Sequence, residues 1–319
     1  MKMSKNDLLA EANQAGFRPE ILEKVLLLLE LLEQFVSLPL LRNRIVLKGG
    51  TALNLFCFDH LPRLSVDIDL NYIGSPSREI MLQERPLIDE AIVAICRQNR
   101  FEIYRHPKEH AGGKMVLRYQ SALGHIGNLE IDMNYMYRIP LWKIAHKNSH
   151  QWPFPAKNIP VLDIHELAAG KLHALFSRNA SRDLFDTHRL LSKCTFNKNQ
   201  LRTAFVIYMA MSRKDWQTVH ISNIEFDIDD LKNRLVPVLR KSETPPTSKI
   251  VLKKWAEQLI DECRDLLKII LPFTEAEQAF LTKLQDQGEI DPSLICSDDK
   301  LSERIRSHPA LHWKIKRKV

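Results

Sequence analysis

Apolar positions along the chain change period between its two halves. Residues 19–37 carry leucine, valine and phenylalanine at helical spacing behind Pro19, a residue suited to the first helical turn. Ile45-Val46-Leu47 is a short β-branched run that ends in Gly49-Gly50, and helical character resumes over Thr51–Leu55. Leu64–Tyr72 alternates and predicts a strand. Arg78–Asn99 predicts a helix with a break or kink at Pro86. Met115–Gln120 and Asn128–Tyr137 read as two strands of a hairpin around Gly124 and Gly127. A loop punctuated by Pro153, Pro155 and Pro160 leads to a helix opening at Asp163, with Asp163 and Glu166 spaced as a capping box. From 196 onward only helical patterns recur, with loops near 214–227 and 241–248 and a linker-like Pro245-Pro246. These patterns predict an α/β (α+β) domain over residues 1–195 and a helical C-terminal domain over 196–319.

Composition adds exclusions. The chain is 45% hydrophobic and 27% charged, enough apolar content to bury a core, so a disordered chain is excluded. Five scattered cysteines, none in a C-x-x-C pair, speak against a disulfide framework or a cysteine-based zinc site and for a reducing compartment. The greasiest stretch, Val25–Leu41, is interrupted by Glu30 and Glu33 and stopped by Pro39, too short and too charged to span a bilayer. With no export signal at the N-terminus, the expected location is cytoplasmic. The net charge of +7 is unevenly placed. Residues 300–319 hold seven Lys and Arg against Glu303, a net of +6, and Arg97–Arg118 holds six against two Glu. Such clusters suit phosphate backbones, or form a solvated surface and a frayed end.

The richest chemistry lies in Ser65-Val66-Asp67-Ile68-Asp69-Leu70-Asn71. On a strand, Val66, Ile68 and Leu70 face a core while Asp67 and Asp69 share the other face, about 7 Å apart. Leu129–Asn134 repeats the phase, with Glu130, Asp132 and Asn134 on the polar side. If the strands pair, Asp132 joins Asp67 and Asp69 in one acidic cluster, which a hard cation such as Mg²⁺ would neutralise. Upstream, Lys48-Gly49-Gly50-Thr51-Ala52-Leu53 sits between a strand and a helix, where glycines admit close backbone approach and a helix N-terminus offers N–H groups to an anion. A D-x-D pair alone is most often a solvated sheet face; the glycine turn and the later Asp132 make the set specific. Lys171 lies on the apolar stripe of the Asp163 helix, so it must either snorkel to solvent or meet an anion, a bound triphosphate or an acidic side chain. Asp183 and Asp186, three apart, share one side of the next helix, where Asp183 could also serve the helix dipole.

Two zinc-like patterns fail on their surroundings. His106-Pro107-Lys108-Glu109-His110 has the H-x-x-E-H order, but Pro107 and Gly112-Gly113 leave scarcely one helical turn. His165-Glu166-Leu167-Ala168-Ala169 lacks the second histidine. No G-x-S-x-G, Walker A or G-x-G-x-x-G motif occurs.

The glycine turn, the D-x-D strand and the third Asp together resemble the polymerase-β-like nucleotidyltransferase superfamily. Within it, Lys48–Leu53 followed by Arg63-Leu64-Ser65-Val66-Asp67-Ile68-Asp69-Leu70 is similar to the AbiEii/AbiGii family of type IV toxin nucleotidyltransferases, which writes G-G-T-x-L and then R-x-S-x-D-h-D-h. The sixteen residues between Gly50 and Asp67 exceed the superfamily's usual spacing, as the R-x-S insertion explains. A helix bearing Lys171, then Arg182-Asp183-Leu184-Phe185-Asp186, matches the family's downstream motif, and His308–Lys314 resembles its ending. The resemblance implies a polymerase-β-like fold with a mixed sheet and an Mg²⁺-dependent transfer of a nucleotide from an NTP to an acceptor. The expected acceptor is RNA, such as a tRNA end. It implies a toxin with a cognate antitoxin encoded alongside. Carried onto this chain, catalysis falls to Asp67, Asp69, Asp132, Lys171, Asp183 and Asp186, with metal on the first three. Nucleotide binding falls to Lys48, Gly49, Gly50, Thr51, Arg63, Ser65 and Arg182. Transfer to a protein or small molecule, and a catalytically silent nucleic-acid-binding protein, are the alternatives. The base of the nucleotide leaves no mark in the sequence.

Overall fold

A computed structural model describes residues 3–107, 111–150, 155–246 and 248–316. The chain divides into two compact units, one of residues 1–162 and 237–244, the other of 163–236 and 245–319. The first boundary falls earlier than the loss of strand patterns suggested, because the helices after Asp163 pack on later helices. The chain re-enters the first unit at Pro237 and leaves it at Thr244–Pro245, beside the linker-like Pro245-Pro246.

In the first unit, α1 (Lys5–Ala15) precedes α2 (Pro19–Ser37), whose buried residues, from Leu22 to Val36, lie on nearly every side. A helix apolar all round must sit inside. It packs against the sheet and against α5 (Arg78–Gln98), and Glu23 accepts hydrogen bonds from the Ser121 hydroxyl (2.6 Å) and the Ala122 N–H (2.6 Å), fixing it to a sheet turn. Pro86 does not break α5, which continues unbroken from Arg78 to Gln98. A proline removes one main-chain bond, whereas the buried stripe of Met81, Ile88, Ile92, Ile95 and Cys96 runs on both sides of it. Short α3 (Pro39–Arg42) leads into β1 (Ile45–Lys48), and α4 (Gly49–Phe56) follows directly.

Among the described residues seven strands form one mixed sheet: β1, β2 (Asp67–Tyr72), β3 (Glu102–Arg105), β4 (Gly112–Gln120), β5 (Ile126–Asn134), β6 (Ala145–Lys147) and β7 (Ile159–Val161). Their spatial order is β3-β4-β5-β2-β1-β7-β6. β2 runs antiparallel to β1 and parallel to β5; β4 and β5 form the expected hairpin. β7, inside what the sequence offered as a proline-rich loop, is three buried residues that extend the sheet beside β1. Arg63 bridges to Leu239, and Leu64 donates to the Val238 carbonyl (2.8 Å), so the returning segment 237–244 is stitched to this unit.

The second unit is helical: α6 (Ile164–Arg178), α7 (Ser181–Lys193), α8 (Lys198–Met211), a single turn α9 (Ile228–Asp230), α10 (Lys249–Leu266), α11 (Glu275–Thr282), α12 (Asp299–Arg306) and α13 (Pro309–Lys316). Asp163 caps α6 by accepting from the His165 N–H (2.8 Å). Among the described residues no helix is long and apolar enough to cross a membrane.

Candidate active site

The parallel register of β2 on β5 sets Asp69 opposite Asp132 and Asp67 opposite Glu130. Register partners on adjacent strands share a face of the pleat, so all four carboxylates rise from one side while Ile68, Leu70, Ile131 and Met133 are buried on the other. Across β1 the row continues to Lys48, opposite Asp69. Asp69 and Asp132 make no side-chain hydrogen bond or ion pair among the described residues, and both are half-buried.

The turn between β1 and α4 closes on this face. Gly49 has φ +72°, a conformation that favours glycine, and a Cβ there would collide with the Asp69 carboxylate. The N–H groups of Gly49, Gly50 and Thr51 open α4 and have no partners within its first turn. The Thr51 side chain differs from its expected role: it is fully buried, and its hydroxyl donates to the Asp67 carbonyl (2.5 Å), tying the turn to β2. Arg63 differs likewise. It is only 2% exposed and donates to the Leu64 carbonyl (2.8 Å), so its guanidinium holds backbone inside the protein. Ser65 is buried beside it in sequence.

Sequence reasoning missed Lys114. It faces Asp132 across β4–β5, and its ammonium meets Glu130 at 2.5 Å. The Glu130 bond, with the charges of Glu130, Asp67 and Asp132, holds this ammonium above its ordinary value despite the opposing effect of burial. The signal was there in phase, since Lys114 lies two residues before Val116 on the polar side, but the predicted strand opened at Met115, three residues after β4 begins.

Lys171 has its anion within the helical unit. Its ammonium lies 3.0 Å from Asp183 and 2.7 Å from Asp186, both carboxylates wholly buried, and Arg178 reaches Asp183 at 2.6 Å. Burial pushes the Asp183 carboxyl up; the Lys171 charge and the Arg178 bond outweigh it and leave the group below the usual carboxylate range. Of the partners open to Lys171, the acidic side chains are the ones it meets, and both aspartates of the R-D-x-x-D motif take part. Arg182, half-buried on α7, makes no hydrogen bond or ion pair among the described residues. His165 is occupied structurally, its ring bonded to Asp163 (2.8 Å) and to the Asn197 N–H (3.1 Å). Of the other zinc-like pattern, Glu109 and His110 lie outside the described residues. All five cysteines are free thiols.

Whether this face suits a divalent cation can be judged from its donors. They are carboxylate oxygens, the hard ligands that Mg²⁺-like ions prefer. Among the described residues no three His, Cys, Asp or Glu side chains already stand together as a metal-holding group. The shared face therefore does not gather the expected three-carboxylate cluster at one point; a hard ion bound here would take one or two carboxylates, with substrate phosphates and water at its other positions. On those terms the residues fit.

Aspartates on adjacent strands beside a glycine turn that opens a helix, on a mixed α/β fold, suit phosphoryl chemistry. Residues 30–284 match the profile of the family described as nucleotidyl transferase AbiEii toxin, type IV TA system. The chain belongs to that family. Among solved structures it is similar to MenT4, a nucleotidyltransferase toxin from Mycobacterium tuberculosis H37Rv. The likeness has a TM-score of 0.58 at 17% identity, over 98% of this chain and 99% of that one. No curated protein matches the chain.

Proposed function

We propose that this toxin-family enzyme moves a nucleotidyl group from an NTP to an RNA acceptor, such as a tRNA end, with Mg²⁺, and that an antitoxin encoded alongside restrains it. The observation that carries the reading is the β2–β5 register, which sets Asp67, Asp69 and Asp132 on one face. Asp67 and Asp69 would hold Mg²⁺, which when bound would neutralise triphosphate charge. The free N–H groups of Gly49, Gly50 and Thr51 cradle phosphate oxygens at the start of α4, and Lys48 adds a positive charge at the same strand end. Asp132 accepts the proton of the acceptor hydroxyl as its oxygen bonds to the α-phosphorus and the bond to the β-phosphate breaks, releasing pyrophosphate. Thr51, through its bond to the Asp67 carbonyl, keeps turn and strand in register. Lys171, Asp183 and Asp186 act by locking α6 to α7. Arg182 remains available for an anionic substrate.

The test is incubation with each labelled NTP, Mg²⁺ and total cellular RNA and protein. Label in the RNA fraction with the wild-type chain, and none with Asp69→Asn, is the expected result. Label in protein or small molecules would assign the acceptor elsewhere, and RNA binding without label from any NTP would make the chain a binding protein.

A further inference from the structure

The face that carries the aspartates does not end at β5. Row by row, the register runs Asp69–Asp132–Lys114, then Asp67–Glu130–Val116–Arg105, then Asn128–Arg118–Glu102. These residues therefore project from the same side of the sheet, out to its edge strand β3. There the Arg118 guanidinium lies 3.4 Å from the centroid of the Tyr104 ring, and Tyr104 is nonetheless 58% exposed. One ring face is covered by a cation and much of the rest is open. Arg105 is exposed, and neither it nor Arg118 forms an ion pair among the described residues. At about 4.8 Å per strand, Arg105 stands roughly 14 Å from Asp67 along its row.

We infer that the β3–β4 end of this face is a docking platform for single-stranded RNA, with Tyr104 as the stacking surface and Arg105 and Arg118 as phosphate contacts. The inference rests on the RNA-acceptor reading and names where that acceptor lies. A sheet face with an exposed aromatic beside arginines is the chemistry that takes unstacked bases: the ring binds any base by its π-face and the cations follow the backbone. The strand spacing leaves room for a short length of chain between Tyr104 and the aspartates. Pairing of a partner protein's strand against β3 is the less suited occupant. β3 has only four residues, a register shift between Ile103 and Arg105, and charges at Glu102 and Arg105, features that blunt an edge against strand addition. Glu102, opposite Arg118, is the acidic residue that RNA must tolerate on this platform.

The test is direct binding of a labelled single-stranded oligoribonucleotide of about ten nucleotides, and of its blunt duplex, without NTP, at two salt concentrations. Thermal melts of each variant report folding. Tyr104→Ala is expected to weaken single-strand affinity about 5- to 100-fold, Tyr104→Phe to leave it within about twofold, and the wild type to prefer the single strand. Arg105→Ala and Arg118→Ala should each weaken binding and flatten the log–log salt slope by roughly 0.7. Glu102→Gln should tighten binding. The KM for NTP should not move in any of them. Unchanged RNA affinity in both Tyr104→Ala and Arg118→Ala overturns the platform, and leaves the transfer reaction standing if RNA still takes up label. Equal affinity for single strand and duplex overturns the stacking role. A wild-type chain that binds no RNA and labels another acceptor overturns platform and acceptor together.

Discussion

Replacing Lys171 by Met keeps the length of the side chain and removes its charge from between two carboxylates that are wholly buried. The lysine itself is only 10% exposed, so solvent cannot take over its task. Removing one partner of a buried ion pair costs about 3–5 kcal/mol, chiefly because the remaining charge stays buried. Arg178 still reaches Asp183, but its side chain is 64% exposed. For a chain of this size each kcal/mol moves the melting temperature by roughly 2–4 °C, so a loss of about 6–20 °C is expected. The pH dependence provides an independent check. In the wild type the Asp183 carboxyl is held below its ordinary value. The stability it contributes is therefore present above the unfolded value, near about 3.9, and is lost as pH falls through the folded one. In Lys171→Met the buried Asp183 carboxyl loses that support and is expected to move up, so acid relieves the variant. The gap in melting temperature between wild type and variant should narrow as pH is lowered from 7 towards 4. Differential scanning calorimetry at a series of pH values measures both effects. A variant that melts with the wild type at pH 7 yet fails to transfer label would refute this reasoning, and would mean that the lysine's charge acts on the substrate.

Gly49→Ala forces an L-residue into φ +72° and sets its Cβ against the Asp69 carboxylate; the backbone term alone is about 1–2 kcal/mol. Label transfer should collapse with a fall in melting temperature of a few degrees, whereas a fully active Gly49→Ala enzyme would show that the turn does not define the site. Asp69→Asn is isosteric and leaves no ion pair unmet among the described residues, so it should melt like the wild type while abolishing transfer. Lys114→Met removes a half-exposed ion pair worth about 0–1 kcal/mol, and takes a cation from beside Asp67 and Asp132. It should tighten Mn²⁺ binding in the absence of NTP, as read by calorimetric titration; weaker binding would show that Lys114 organises the carboxylates instead of opposing the ion.

The strand phase made the centre of the fold legible. Alternation in 66–71 and 129–134 assigns Asp67, Asp69 and Asp132 to polar faces, and the only open question, whether the two strands are neighbours, is the one that the β2–β5 pairing settles. What periodicity could not reach is short or held by long-range contacts. β7 offers three residues around Pro160, too few for any period to register. β3 lay within a basic stretch where charge hid a four-residue edge strand. Thr51 and Arg63 were assigned to nucleotide binding through the family's G-G-T and R-x-S motifs, and both side chains bond main-chain carbonyls. No local pattern distinguishes a side chain turned inward to a carbonyl from one turned outward to a ligand.

Charge counting misdirects for the same reason. The +6 of residues 300–319 invites the picture of a free basic arm, with Lys314–Lys318 available to a phosphate backbone. In α13, however, Ala310 and Leu311 are buried, Arg213 lies over the Trp313 ring at 5.8 Å, and the Lys314 ammonium donates to the Ser212 carbonyl (2.5 Å). Lys314 and Lys316 fall in the last turn of a helix, where cations complement the dipole. As far as Lys316 this segment is a strap within the helical unit; Arg317 and Lys318 lie outside the described residues. The smaller excess at Arg97–Arg118 is differently placed, because strand register turns Lys114, Arg118 and Arg105 to the side of the sheet that carries the aspartates. On the proposed RNA-acceptor reading, cations on that face sit where a polyanion would approach carboxylates that otherwise repel it. Direction along the pleat, more than number, places the smaller of the two basic stretches on the face of the aspartates.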